Sequence, residues 1–146
     1  MNIEVLSNLL GHPINSDELT AYCEINNINL ETVTPDSHGL TTYLELPELG
    51  ICLTFDGYEK LFFSGFFLYS EGYDGYSEFK PEILFDLNFG DARETILTKL
   101  GSSEFHSNLG EDRICVERWN MGNFKLHVTY LDKLTLSLLS VFKPRE

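Results

Sequence analysis

The tightest constraint on this fold is a pattern that occurs twice. The segment Ile3–His12 (IEVLSNLLGH) lies over Arg93–Ser102 (RETILTKLGS), with Glu4, Leu6, Leu10 and Gly11 on Glu94, Ile96, Leu100 and Gly101. Both segments space apolar residues as an amphipathic helix does, and both end on Leu-Gly. A glycine there supplies the left-handed residue that closes a helix. Asn2 and Asp91 stand as N-caps, the second with Glu94 three residues on, as in a capping box. Each helix is followed by a polar connection and three strand-like runs. These are 40–46 (LTTYLEL), 50–55 (GICLTF) and 61–69 (LFFSGFFLY), then 113–119 (RICVERW), 124–130 (FKLHVTY) and 134–142 (LTLSLLSVF). They alternate at period two or are rich in β-branched and aromatic residues. The turns correspond too: PELG (47–50) with NMGN (120–123), Lys60-Leu61 with Lys133-Leu134, and Ser64 with Ser137.

This order predicts a single domain over 1–146 of the α+β class, built from two α-β-β-β pseudo-repeats, 1–69 and 91–146, joined by 70–90. Short turns make the pairings antiparallel. The expected architecture is an antiparallel sheet of about six to seven strands with the helices on one face. Two insertions interrupt the symmetry. Residues 16–27 (SDELTAYCEINN) read as a further helix capped by Ser16, with Leu19, Tyr22 and Cys23 on one face. Residues 82–87 (EILFDL) read as an edge strand after Pro81. In 124–130, Phe124, Leu126, Val128 and Tyr130 point to the core, leaving Lys125, His127 and Thr129 outward. The run 61–69 is apolar on both faces, so it should be a central strand covered on both sides.

Charge is segregated along the chain. Residues 1–92 carry 16 acids and two bases, whereas 93–146 carry seven acids and eight bases, within a total of −13. Such a field steers a cationic partner and repels nucleic acid and anionic membranes. The longest apolar run is broken at Ser64-Gly65 and is far short of the ~20 residues of a membrane helix. The start carries Glu4 and no basic segment, so no signal peptide is expected. Cys23, Cys52 and Cys115 are odd in number and widely spaced, which points to a reduced, cytoplasmic chain without a disulfide framework.

Residues for chemistry are scarce. GYDGYSEF has glycines but no lysine and no following helix, so it is no phosphate cradle. His12, His38, His106 and His127 make no metal-ligand spacing with one another or with a cysteine. The acid pairs Glu45/Glu48 and Asp17/Glu18 are what 23 acids produce by chance. No catalytic residue, metal or cofactor is therefore expected. Cys52, Cys115 and Trp119 read as packing residues and His127 as an exposed sheet residue. Recognition remains. YSEGYDGYSEF (69–79) joins aromatic rings to acids, the composition of an interface anchor. Its candidate partner-binding residues are Glu71, Tyr73, Asp74, Tyr76 and Glu78. A second candidate loop, DGYEK, contributes Asp56, Tyr58 and Glu59, and a third is the acidic helix region with Asp17, Glu18, Glu24 and Glu31. Alanine at Tyr73 or Tyr76 is expected to weaken binding and leave folding unaffected.

The order of a short helix, a connection, GICLTF, a loop, an aromatic strand, a short strand, a helix ending in Leu-Gly, the strand with VERWN and a final hairpin resembles the small immunity proteins of bacterial toxin systems, the pyocin and colicin-type group. The tandem helix-plus-sheet layout is also similar to the β-lactamase inhibitor protein architecture. The resemblance implies a non-enzymatic, cytoplasmic inhibitor, a monomer or weak dimer, that binds a cognate cationic toxin protein, often a nuclease domain. The residues leave a second reading open. It is a small α+β enzyme or ligand-binding domain with a pocket on the concave sheet face, using acids or His127.

Overall fold

A computed structural model describes residues 1–35, 41–108, 114–131 and 135–144. Leu40, Arg113 and Leu134, which open three of the expected strand runs, lie outside the described residues, as do His38 and Lys133. In chain order the elements are α1 (Ile3–Ser7), α2 (Asp17–Ile25), β1 (Thr41–Leu46), β2 (Ile51–Asp56) and β3 (Phe62–Tyr69). Then come α3 (Arg93–Leu100), β4 (Phe105–Asn108), β5 (Ile114–Asn120), β6 (Lys125–Tyr130) and β7 (Leu136–Phe142). The strands form one antiparallel seven-stranded sheet in the order β1-β2-β3-β7-β6-β5-β4. The chain is thus α+β, as the doubled pattern requires.

The two units lie side by side and meet where β3 pairs with β7. The alignment that lays Ser64 over Ser137 lays Phe67 over Ser140. Those two residues pair at the middle of the ladder, which runs from Gly65↔Phe142 to Tyr69↔Leu138. The irregularities repeat as well. The register shifts between Thr54 and Phe55 opposite Ser64, and between Thr129 and Tyr130 opposite Ser137. Each serine is the extra residue of a β-bulge, which turns the strand's side chains at that point. The units are therefore related by a pseudo-two-fold axis through the Phe67–Ser140 pair.

Capping follows the sequence at two helices. The Asn2 side chain accepts from the Val5 amide and that of Ser16 from the Leu19 amide. At α3 it does not. Ala92 occupies the N-cap, and the Asp91 carboxylate accepts instead from the Asn88 amide and from Lys99 Nζ. Ile3 and Leu6 of α1, Leu19 and Tyr22 of α2 and Ile96 of α3 all bury against one sheet face, in a core with Leu53, Phe66, Leu126, Val128 and Val141. Phe63 stands 5.8 Å from the Phe55 ring and 6.2 Å from that of Phe66. Each fully buried side chain of this size contributes about 1.5–3 kcal/mol.

Three expectations need correction. Residues 82–87 form no strand. Leu84–Asp86 is a single 3-10 turn, with Phe85 and Asp86 at φ of 57° and 58°, which no extended strand contains. That turn lets Leu84 and Leu87 both enter the core. The strand at that edge is β4, in a polar connection that carries no alternation. The central strand β3 is covered on both faces only toward Tyr69, since Phe62 at its other end is exposed.

Among the described residues, one charged side chain is buried on the core face. Glu117 of β5 is fully buried and accepts from Arg93 Nε at 2.6 Å, Arg93 Nη2 at 3.2 Å, Ser103 Oγ at 2.7 Å and the Tyr130 hydroxyl at 2.9 Å. Burial alone raises its pKa, but the bonds from Arg93, Ser103 and Tyr130 outweigh burial and hold the carboxyl below the usual range. Burial, reinforced by the Glu117 charge, pushes the Tyr130 hydroxyl above its usual range. This cluster ties α3 to β5 and β6.

Candidate functional site on the open face of the sheet

Strand parity assigns Glu45, Cys52, Phe67, Tyr69, Phe142, His127 and Arg118 to the face opposite the helices. The two ends of this face differ. At the Tyr69 end, residues 70–79 fold back over the sheet. The Tyr76 ring stacks on that of Tyr69 with centroids 3.7 Å apart and 14° between planes. Its hydroxyl donates to Glu45 Oε1 at 3.1 Å. Cys52, Tyr69 and Tyr76 form a second small core, with Tyr73 and Leu138 packed against it. The loop is also held by its backbone. The Ser77 amide donates to the Pro47 carbonyl, the Phe79 amide to that of Tyr69, and the Glu78 amide to the Glu71 carboxylate.

Of the first candidate loop, then, Glu71 and Asp74 are exposed, Tyr73 and Glu78 are half-buried, and Tyr76 is buried at 4% exposure. Tyr76 is a plug in the fold and no exposed anchor. Burial pushes the Cys52 thiol up to about 12, with the Glu45 charge adding to it. Burial likewise raises the Tyr69 hydroxyl to about 12. Cys23 is raised by burial to about 11. Both of these thiols stay protonated at neutral pH, so they pack and do not act as thiolates.

At the Phe142 end no described segment covers the sheet, and a groove of about 1010 Å³ opens. Its floor is Phe67 and Phe142, edge to face at 5.3 Å, with the His127 ring edge-on to Phe142 at 5.3 Å. Gly65 lies beside Phe142 across the ladder, and a Cβ there would overlap the Phe142 ring and the Val141 carbonyl. Gly65→Val is therefore expected to cost about 1–3 kcal/mol by overpacking, read as a lower urea midpoint at unchanged slope. One wall of the groove carries Tyr43, Asp56 and Phe62, and the other carries Arg118 and Lys125. Asp56 accepts from the Thr41 hydroxyl at 2.9 Å. Tyr58 and Glu59 are exposed on the β2–β3 turn that adjoins the acidic wall. The groove margin exposes Tyr43 at 59%, Tyr58 at 68% and Phe62 at 42%. The structure thus brings Asp56 together with Tyr43 and Phe62, and places Tyr58 and Glu59 on the adjoining turn. It keeps them apart from the 71–78 residues, since the two loops lie at opposite ends of β3.

The basic wall is organised around Glu104, which accepts from Lys125 Nζ at 2.8 Å and Arg118 Nε at 2.9 Å. The Lys125 bond foremost, then that of Arg118, keeps its carboxyl below the usual range. The Arg118 guanidinium sits 4.9 Å from the Phe105 ring centroid. His127 is half-buried and lines the groove, where an exposed residue was expected. Burial, with Arg118 and Lys125 adding, lowers its pKa, so the imidazole is neutral at pH 7. Elsewhere the chain's charge gradient becomes a gradient across the sheet. Among the described residues, acids from 1–92 form ion pairs only at Glu78 with Lys80 and at Asp91 with Lys99.

Strand parity had already put Lys125 and His127 off the core face. Arg118 and Phe142 carried the same signal without being singled out. Among the described residues no group of three or more His, Cys, Asp or Glu is placed to hold a metal ion, and no helix is long and apolar enough to cross a membrane. No family model matches the chain, and neither a curated protein nor a solved structure matches it.

Proposed function

We propose that this chain is a non-enzymatic, stoichiometric inhibitor of the immunity type, acting in the cytoplasm on a cognate basic bacterial toxin protein. The observation that carries this reading is the acidic half of the sheet, whose carboxylates are largely without cation partners among the described residues. Charges left unpaired by the fold accelerate and orient encounter with a cationic surface. Asp56, Tyr58 and Glu59, joined by Tyr43, give that field an exposed aromatic contact area, and Glu71 and Asp74 extend it at the far end of β3. A nuclease domain, basic for its own substrate, has the complementary surface.

The test is affinity capture from host lysate at low and high salt, followed by a toxicity or nuclease assay on whatever is retained. One basic protein held at about one to one, and silenced by the chain, is the expected result. Retention of no protein at either salt would sink the reading. In the complex, the set Asp56→Asn, Glu59→Gln, Glu71→Gln and Asp74→Asn should slow association roughly tenfold or more with little change in dissociation, and added salt should mimic it. A second reading, a ligand-binding domain, is favoured by the groove at the Phe142 end.

A further inference from the structure

The pseudo-two-fold axis relates the plugged end of the open face to the end that no described segment covers. Across the first unit, Phe67 pairs with Cys52 and Cys52 with Glu45. Across the second, Ser140 pairs with His127 and His127 with Arg118. Phe67 and Ser140 are equivalent, so Cys52 corresponds to His127 and Glu45 to Arg118. One more step along each central strand, Tyr69 corresponds to Phe142. The chain therefore contains its own template for what this site holds. At the first end an aromatic ring lies flat on Tyr69 and its hydroxyl donates to Glu45. At the second end the platform is Phe142, and the group awaiting the substituent is a donor, Arg118, in place of an acceptor.

We propose that the groove binds a small aromatic carboxylate, its ring stacked on Phe142 and its carboxylate received by Arg118. The exchange of Glu45 for Arg118 inverts the required substituent from a hydroxyl donor to an anionic acceptor. Local charge agrees. Among the described residues, Glu104 is the one carboxylate that pairs with the two cations of this wall, Arg118 and Lys125, so the wall itself is net positive. Arg118 donates through Nε alone, so both its terminal amino groups lack an acceptor among the described residues. A guanidinium with two such groups receives a carboxylate in a bidentate fork. His127, T-shaped to the platform, adds a neutral ring, and Asp56 on the opposite wall keeps the anion to the Arg118 side. The assignment rests on the ligand-binding reading and needs no toxin partner.

The probe is 4-hydroxyphenylacetate, with its neutral amide as control, titrated into the whole chain and followed by NMR of the His127 and Phe142 ring signals and the Arg118 Nε–H. Saturable shifts at all three are expected, with affinity at least tenfold weaker for the amide and for Arg118→Gln. Arg118→Lys should recover part of the loss, and the melting temperature of each variant shows that the fold is intact. Phe142→Leu removes the platform and should weaken acid and amide alike. Equal binding of acid and amide, or shifts that survive Arg118→Gln, would overturn the anion assignment. Absence of saturable shifts would overturn the site. Shifts seen only with a tyrosine-bearing peptide would overturn the small-ligand assignment in favour of a protein loop. None of these results alters the capture experiment, so the two proposals fail separately.

Discussion

Glu117→Ala should destabilise the protein by about 3 kcal/mol or more, the usual cost of removing one member of a buried ion pair. The change strips the acceptor from Arg93, Ser103 and the buried Tyr130 hydroxyl together. Arg93 retains 33% side-chain exposure, so water can rehydrate it, and this keeps the loss toward the lower end. Glu117→Gln keeps the shape and part of the bonding and should lose less. Urea unfolding measures both, and an unchanged midpoint for the alanine variant would contradict the assignment. The pH dependence has a definite sign. The folded carboxyl titrates below its ordinary 4.5. Its contribution is therefore fully present above about pH 4.5 and is lost as pH falls through the lower folded value. The wild-type chain should lose this increment on acidification, and Glu117→Gln should show a shallower acid limb.

Tyr76→Ala should cost about 3 kcal/mol or more, in the range for deleting a buried aromatic side chain. The ring is 4% exposed and stacked on Tyr69, and such a pair adds about 0.5–1.5 kcal/mol beyond area burial. Tyr76→Phe keeps the ring, loses the hydroxyl's bond to Glu45 and should cost about 1 kcal/mol. Thermal melts distinguish the two, and a wild-type melt for the alanine variant would show that the loop does not seal this end of the sheet. This reverses the sequence expectation, in which Tyr76 was an exposed anchor whose loss left folding intact. Tyr73→Ala, at a half-buried ring, should fall between the phenylalanine and alanine changes at Tyr76.

The fold was legible because its period is strong. Residues 124–130 alternate without exception, and each hairpin is joined by a short connection, so strand identity and pairing followed. Residues 82–87 misled because four apolar residues among two acids mimic a strand. What decides that segment is the left-handed backbone at Phe85 and Asp86, two residues that carry no glycine-like warning. The strand β4 was missed for the opposite reason. Its sequence, FHSN, carries one apolar residue and no alternation, and a strand that pairs on one side only needs no apolar pattern. The site was half legible. Tyrosines beside acids mark places where rings and charges meet, but composition does not say whether the surface that receives the ring belongs to another molecule or to the same chain. The groove needed the register, because Phe67, Phe142, His127 and Arg118 come from four strands.

The meeting of β3 and β7 also sets the order of events during synthesis. β7 follows every other strand in the chain, yet it occupies the sheet's centre. Until it emerges, β3 presents a long aromatic edge with unpaired backbone groups, the kind of template on which other chains nucleate aggregates. The half-made protein is thus more adhesive than the finished one. Closure must wait for a contact between strands separated by a helix and three other strands, and folding should be slow for a chain of this size. The acidic charge crowded into the first unit repels like nascent chains during that wait.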